Sequence, residues 1–407
     1  MQTSYLAIIN GCIITPLNII DGGTIIIKNR RILRIGPTSK IAIPRSAKII
    51  DARLRWVVPG YIDLHLQGAF GHDVWDEDTS SLPALCNKLI AAGTTGFLAT
   101  TEFHIPTIKR LREFMECGLR IADCGIKNSK SEIINLQSTM LGIHLEGPFI
   151  NPDRKGGIPV ESIHKPSRFL LSKIFSLADQ YLKMMTLAPE LKNSVPLVRD
   201  LVSHRVIAAI GHTAATFAEA KRGFDAGISH TTHIFNQITP IHHRNPGATL
   251  ASLLDDRITV QVICDGIHLD WEIIKLIYKL KGPKKIALIT DAVKPAGLPD
   301  GIYYSQGHGR KSIVKNGKVT RPDGTIAGST LTMDRAVANA VKYAKIPFVD
   351  AIQMATLTPA SILGISHQVG TIAPNKIANL VILDNQYRVT QTVINGVLFR
   401  AGKNRRF

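Results

Sequence analysis

The chain is short of cysteine, short of negative charge relative to positive, and has no long apolar run. Its 407 residues include five cysteines, at positions 12, 86, 117, 124 and 264. They never take Cys-x-x-Cys spacing, which argues against a thiolate zinc site. So small and odd a number also argues against a disulfide framework and fits a reducing cytoplasm, with the thiols read as small buried hydrophobes. A membrane helix needs about 20 consecutive apolar residues; none is present, so no membrane partner is expected. The opening Met-Gln-Thr-Ser-Tyr has no basic start leading into an apolar core, so no secretory leader is expected. Acidic residues number 31 against 49 basic, a net charge of +18. That excess raises nucleic-acid binding, but the basic residues are dispersed. The longest clusters, 281–285 and 403–406, are short and lack interleaved aromatics. A general bias that attracts anionic substrates is the better reading, and no nucleic acid is expected as a partner.

At 45% apolar and 20% charged the chain is globular. It is long for one core, so one large domain plus an accessory piece is expected. Residues 5–55 hold β-branched runs (5–9, 24–28, 31–35, 48–50) parted by turns read at Asn10-Gly11, Asp21-Gly22-Gly23 and 28–30. Runs at 377–383, 389–394 and 397–400 look alike. Neither set makes a substantial sheet alone. Together they predict a small β-sandwich domain from residues 1–55 plus 365–407, with 56–364 inserted as one domain. That middle alternates strands (60–66, 95–101, 140–145, 182–187, 206–210, 228–232, 259–264, 285–290) with helical stretches (82–92, 107–123, 169–180, 195–204, 216–226, 269–280). Eight βα units over about 300 residues predict an α/β fold, a (β/α)8 TIM-type barrel with its active site at the strands' C-terminal ends. After Asp291 the pattern breaks: 300–326 reads as a hairpin excursion, 331–345 as a helix, and 348–364 as helical turns interrupted at Pro359.

Four strand ends deliver chemistry. Met140-Leu-Gly-Ile-His-Leu-Glu146 stops at a carboxylate, 205–211 delivers His212, 227–232 delivers His233, and 285–290 delivers Asp291. Three nitrogen and oxygen ligands with an open fourth position are the usual catalytic zinc arrangement, which makes Glu146, His212 and His233 the candidate metal ligands. Asp291 is then the candidate proton shuttle, with a helix N-cap as its structural alternative. On the first barrel strand His65 and Gln67 share a face; they are either half of a metal pair or two polar residues bonded at the mouth. His144 is a partner of the site or a satisfied core histidine. The polar, Pro/Gly-punctuated stretch 231–247 reads as a binding loop, with Arg244 an anion anchor or a solvated cation. His268 stands at the tip of the seventh strand.

Pro59-Gly-Tyr-Ile-Asp-Leu-His65, Gly142-Ile-His-Leu-Glu-Gly-Pro-Phe149, Leu187-Ala-Pro-Glu190, Gly211-His-Thr213, Thr232-His-Ile-Phe-Asn236, His242-His-Arg-Asn-Pro-Gly247, Asp265-Gly-Ile-His268, Thr290-Asp-Ala292 and Ile326-Ala-Gly-Ser329 together resemble the N-acetylglucosamine-6-phosphate deacetylases of the amidohydrolase superfamily. The resemblance implies one divalent metal per subunit on Glu146, His212 and His233, with Zn2+ expected and Fe2+, Co2+ or Mn2+ also suited to such ligands. It implies Asp291 as general base and acid. Asn236, Gln237 and His268 would hold a phosphorylated N-acetyl amino sugar, Gly157 and Ile158 would flank its amide, and Ile326, Ala327 and Gly328 would close over it. It also implies a homodimer in which Arg244 reaches the neighbouring active site.

Two departures qualify the resemblance. Members with two metals carry His-x-His where this chain has His65-x-Gln67, so one tight metal is expected and at most a weak second one at His65 and Gln67. Ile158 stands where many members have a histidine near the substrate amide. Its side chain donates no hydrogen bond, so carbonyl polarisation falls to the metal or another group; losing one such donor typically costs ~10²–10³ in rate. The expected activity is hydrolysis of the acetamide of N-acetyl-D-glucosamine 6-phosphate. The competing readings are its galacto epimer as substrate and a catalytically weakened phosphosugar-binding homologue.

Overall fold

The β-branched runs at the two chain ends pair with one another in the computed structural model, which describes residues 4–117, 139–305 and 310–399. Tyr5–Ile14, Ile19–Lys28 and Arg31–Pro37 form an antiparallel meander, and Lys48–Asp51 runs parallel to the first of them. From the other end, Leu380–Leu383, Val389–Ile394 and Val397–Phe399 continue the same sheet. Trp56–Pro59 joins the two sets, lying parallel to the first strand at Cys12 and Ile13 and antiparallel to Leu380–Leu383. The small β-sandwich is therefore one continuous eight-stranded sheet. Its own core draws Ile8, Ile25, Ile27 and Val57 from one end and Leu380, Ile382 and Val393 from the other.

Two expectations are corrected here. Asn10-Gly11 and Asp21-Gly22-Gly23 are not turns but irregularities inside long strands, where register shifts around Gly11 absorb the positive φ of Asn10 as a bulge. The boundary read at 55/56 also moves: Trp56–Pro59 pairs within the end sheet, and the chain crosses to the barrel at Gly60, whose N–H donates to Asn379 O.

The barrel strands are Tyr61–Leu66, Thr94–Thr101, Met140–Glu146, Leu182–Leu187, Ile207–Ile210, His230–Thr231, Thr259–Ile263 and Ile286–Ile289. Neighbours in sequence are parallel neighbours in space throughout. Strands with both faces covered read as continuous apolar runs, and every residue of Tyr61–Leu66, Thr94–Thr101 and Ile286–Ile289 is buried. Helices follow with the expected side-chain caps: Ser167 for Arg168–Ala178, a Thr216/Glu219 capping box for Phe217–Ala226, and Asp270 for Trp271–Lys281. The helix read at 107–123 spans Ile105–Cys117, and the rest of that reading, like 403–406, lies outside the described residues. The excursion after Asp291 is a four-stranded antiparallel sheet of Gly301–Ser305, Arg310–Lys315, Lys318–Thr320 and Ile326–Ser329. The helical break expected at Pro359 falls at Thr356, between Phe348–Ala355 and Leu357–Ile362, because a proline in a helix's first turn lacks no bond it needs. No helix among the described residues is long and apolar enough to cross a membrane.

Closure of the barrel rests on a buried carboxylate. Asp63, on the first strand, accepts from Thr290 Oγ1 at 2.5 Å, Thr290 N at 3.3 Å and His65 N at 3.1 Å, tying the first strand to the eighth. Asp291 N to His65 O and Gln67 N to Ala292 O, both 2.9 Å, finish the seam. Burial pushes the Asp63 carboxyl up to about 6 against those three bonds. Removing it strands buried donors, each costing roughly 1–3 kcal/mol. Asp63→Ala is expected to lose on the order of 3 kcal/mol of stability, read as a lower urea midpoint at unchanged m-value.

Candidate active site

Closure brings the expected strand ends to one mouth. Glu146 is the last residue of its strand, while His212, His233 and Asp291 each stand two residues beyond theirs. Those three have left-handed backbones, with φ of 47°, 23° and 48°. Such conformations cost roughly 1–3 kcal/mol each and persist only where neighbours hold them. Here Ser329 N donates to Asp291 O at 2.8 Å and Asn151 N to His212 O at 2.9 Å. The turn before His212 also needs Gly211, since a Cβ there would lie 2.8 Å from Thr186 Cγ2 and 2.9 Å from Thr232 Cβ.

The side chains converge on Glu146. His233 Nε2 lies 2.8 Å and His212 Nε2 3.0 Å from its Oε1. His65 Nε2 is 3.5 Å from its Oε2 and 3.3 Å from Asp291 Oδ1. All five groups are buried. Their second nitrogens decide what faces inward. His212 Nδ1 sits 2.7 Å from the Arg154 carbonyl oxygen, which only accepts, so Nδ1 carries the proton and Nε2 presents a lone pair to a carboxylate. His65 Nδ1 faces Gln261 Oε1 at 3.2 Å in the same sense. Among the described residues, His65 Nε2 and His233 Nδ1 are buried without a hydrogen-bond partner. Lone pairs turned on carboxylate oxygens away from water repel unless a cation lies between them.

Without a metal, a proton on His65 answers the same demand for positive charge. Burial disfavours the His65 imidazolium, yet the Glu146 and Asp291 carboxylates outweigh it and raise the group to about 9. Burial likewise opposes the Glu146 charge, but His65, with the bonds from His212 and His233, holds that carboxyl well below its usual range. Burial keeps His233 below its ordinary value. His65, Glu146 and His233 offer donor atoms all within 4.8 Å of one another. With His212 added, the set is the nitrogen-and-oxygen chemistry that suits a divalent metal.

A further layer orients this cluster. Gln261 Oε1 takes both His65 Nδ1 and the His233 backbone N–H at 3.2 Å. Its signal was a polar residue inside the apolar run Thr259–Ile263, and sequence reading passed over it. His144 does not touch Glu146; it bonds Thr186 Oγ1 at 2.8 Å and the Leu64 carbonyl at 3.2 Å, and packs edge-on against the His65 ring. Glu190 takes Asn151 Nδ2, Thr213 Oγ1 and Ala214 N, fixing the loop that carries His212. Gln67 Nε2 lies 3.5 Å from Asp291 Oδ1, so its amide faces that carboxylate. No helix starts at Asp291, which removes the capping alternative.

The cluster opens into a cavity of about 390 Å³. Asn236, Gln237, His268, Gly157, Ile158, Ile326, Ala327 and Gly328 all line it. His268 Nδ1 is tied to Asp265 Oδ2 at 2.7 Å, leaving Nε2 for the cavity; burial works against its charge, but Asp265 raises the group. Arg244 is exposed and does not line this cavity. Glu102 and Arg321 do, and sequence reading missed both.

The sequence matches the amidohydrolase family over residues 56–399. It is 33% identical over 385 residues to an N-acetylglucosamine-6-phosphate deacetylase of Bacillus subtilis (strain 168), covering 94% of each chain. It is 34% identical over 363 residues to an N-acetylgalactosamine-6-phosphate deacetylase of Escherichia coli O157:H7, covering 88% of this chain and 90% of the relative. The crystal structure of N-acetylglucosamine-6-phosphate deacetylase from Pasteurella multocida superposes with a TM-score of 0.86 at 29% identity, over 97% of this chain and 99% of that one.

Glu146 holds the meeting point of the imidazoles, so its loss should empty the site. Glu146→Gln is expected to cut the divalent metal retained after reconstitution to under about a tenth of the parent's, by elemental analysis, with the far-ultraviolet circular dichroism unchanged.

Proposed function

The chain belongs to the amidohydrolase family, and from that premise we propose that it hydrolyses the acetamide of N-acetyl-D-glucosamine 6-phosphate to D-glucosamine 6-phosphate and acetate. One observation carries the reading: the carboxylate of Asp291 stands 3.3 Å from His65 Nε2 at the edge of the buried Glu146–His212–His233 cluster, inside a cavity sized for a sugar. Pockets of ~300–1,000 Å³ are typical for small ligands.

Glu146, His212 and His233 would hold one divalent cation, Zn2+ on our reading, which when bound supplies Lewis-acid polarisation and a local positive charge. The chain's own groups do the rest. Asp291 takes the proton of the attacking water and later delivers it to the departing sugar nitrogen. His65 and Gln67 hold its carboxylate toward the cluster. Asn236, Gln237 and the Asp265-oriented His268 grip the sugar and its phosphate. Arg244, exposed in its own chain, serves the phosphate of a neighbouring subunit, so the working form is a homodimer. The free cysteines 12, 86 and 264 fit a cytoplasmic setting. The galacto epimer is the second reading, favoured by the Escherichia coli relative, and relative kcat/KM on the two phosphosugars decides between them.

Asp291→Asn is expected to retain metal and fold and to lose ~10²–10⁴ in kcat, measured as acetate release. Unimpaired turnover in that variant would remove Asp291 from the reaction.

A further inference from the structure

The cavity contains a cation that the reaction as described leaves idle. Arg321 directly follows the strand Lys318–Thr320 of the four-stranded excursion and lines the cavity; it also shares a smaller neighbouring pocket with Gln67 and Val293. Those neighbours place it at the reacting end. Gln67 lies on Asp291, and Val293 stands two residues beyond it. A Cβ built on Gly157 would be 3.9 Å from Arg321 Nε and 3.0 Å from Ala327 Cβ. Around the barrel mouth, Gln67, Glu102 and Val293 follow the first, second and eighth strands, whereas Asn236 and Gln237 follow the sixth.

Its neighbouring cation is already spent. Arg310 Nη1 donates to Glu102 Oε1 at 2.8 Å, and its guanidinium lies 5.7 Å from the Trp75 ring centre. That pair occupies Glu102, and among the described residues no carboxylate is hydrogen-bonded to the Arg321 side chain. Among the described residues the side-chain hydrogen bond of Arg321 is one long contact, Nη1 to Ser312 Oγ at 3.5 Å. A half-buried guanidinium with five donors and so little to bond is poised for an acceptor that arrives with the ligand.

Amide hydrolysis creates such an acceptor. As the water oxygen bonds to the acyl carbon, the carbonyl π pair moves onto oxygen; when the C–N bond breaks, that pair returns and the nitrogen takes the proton held by Asp291. The oxygen is anionic only between those events. The Ile158 side chain in the adjoining wall donates nothing, and the Glu146 and Asp291 carboxylates repel such a charge. Resting on the hydrolytic reading above, we propose that Arg321 is a catalytic residue whose guanidinium donates to the acyl oxygen as it becomes negative.

The test compares the full-length, zinc-loaded parent with Arg321→Leu and Arg321→Lys on N-acetyl-D-glucosamine 6-phosphate. The expected result is a ~10²–10³-fold lower kcat for the Leu variant, with KM within about threefold of the parent and unchanged zinc content. Partial recovery is expected in the Lys variant, as is at least ~10-fold rescue of the Leu variant, but not the parent, by millimolar guanidinium. A raised KM with kcat intact would overturn the assignment, making Arg321 a ground-state anchor. Loss of kcat that neither lysine nor guanidinium restores would also overturn it, leaving a structural role. A parent that releases no acetate would overturn the functional reading itself; an active parent beside a Leu variant of undiminished kcat would overturn the assignment alone.

Discussion

Two imidazole nitrogens meet on one carboxylate oxygen of Glu146, at 2.8 and 3.0 Å, in a place water barely reaches. The rest of the structure depends on this meeting. His212 Nδ1 donates to a backbone carbonyl and His65 Nδ1 to an amide oxygen, so their Nε2 atoms are the ones turned on the carboxylates, where a proton or a metal must supply positive charge. An arrangement of bases and carboxylates is unstable alone and stable around a cation. The sequence has thus built, from ordinary residues, a site whose own electrostatics call for a metal.

Holding that arrangement is a task of the barrel rather than of the residues that make it. The Asp63–Thr290 tie joins the first and eighth strands, and through them sets His65 against Asp291. Gln261 couples His65 to the backbone of His233. Glu190 fixes the loop behind His212. The left-handed tips at His212, His233 and Asp291 turn each side chain inward at an energetic cost that the seam bonds offset. Stability and function are linked here through shared hydrogen bonds.

How far this was legible in the sequence follows from the physics of each element. Barrel strands announce themselves because both faces are covered, so apolar runs ending in a polar residue located Glu146, His212, His233 and Asp291 within two residues of the observed strand ends. Asn10-Gly11 misled because the same positive φ that makes a hairpin also makes a bulge, and only pairing with Ile19–Lys28 tells them apart. Pro359 misled because a proline breaks a helix interior but starts a helix comfortably. Glu102 and Arg321 were invisible for another reason. Glu102 meets Arg310 across 208 positions of sequence, and only the fold-back of the excursion over the mouth puts Arg321 in the cavity wall. Local pattern carries no trace of such a meeting.

X-ray absorption at the zinc edge of the zinc-reconstituted protein tests directly whether the metal sits on Glu146, His212 and His233. A shell of nitrogen and oxygen ligands at about 2.0–2.1 Å is expected, with imidazole scattering behind it and no sulfur. A sulfur shell near ~2.3 Å, or a shell of oxygen alone without imidazole, would mean that the Glu146–His212–His233 cluster is not where the metal resides.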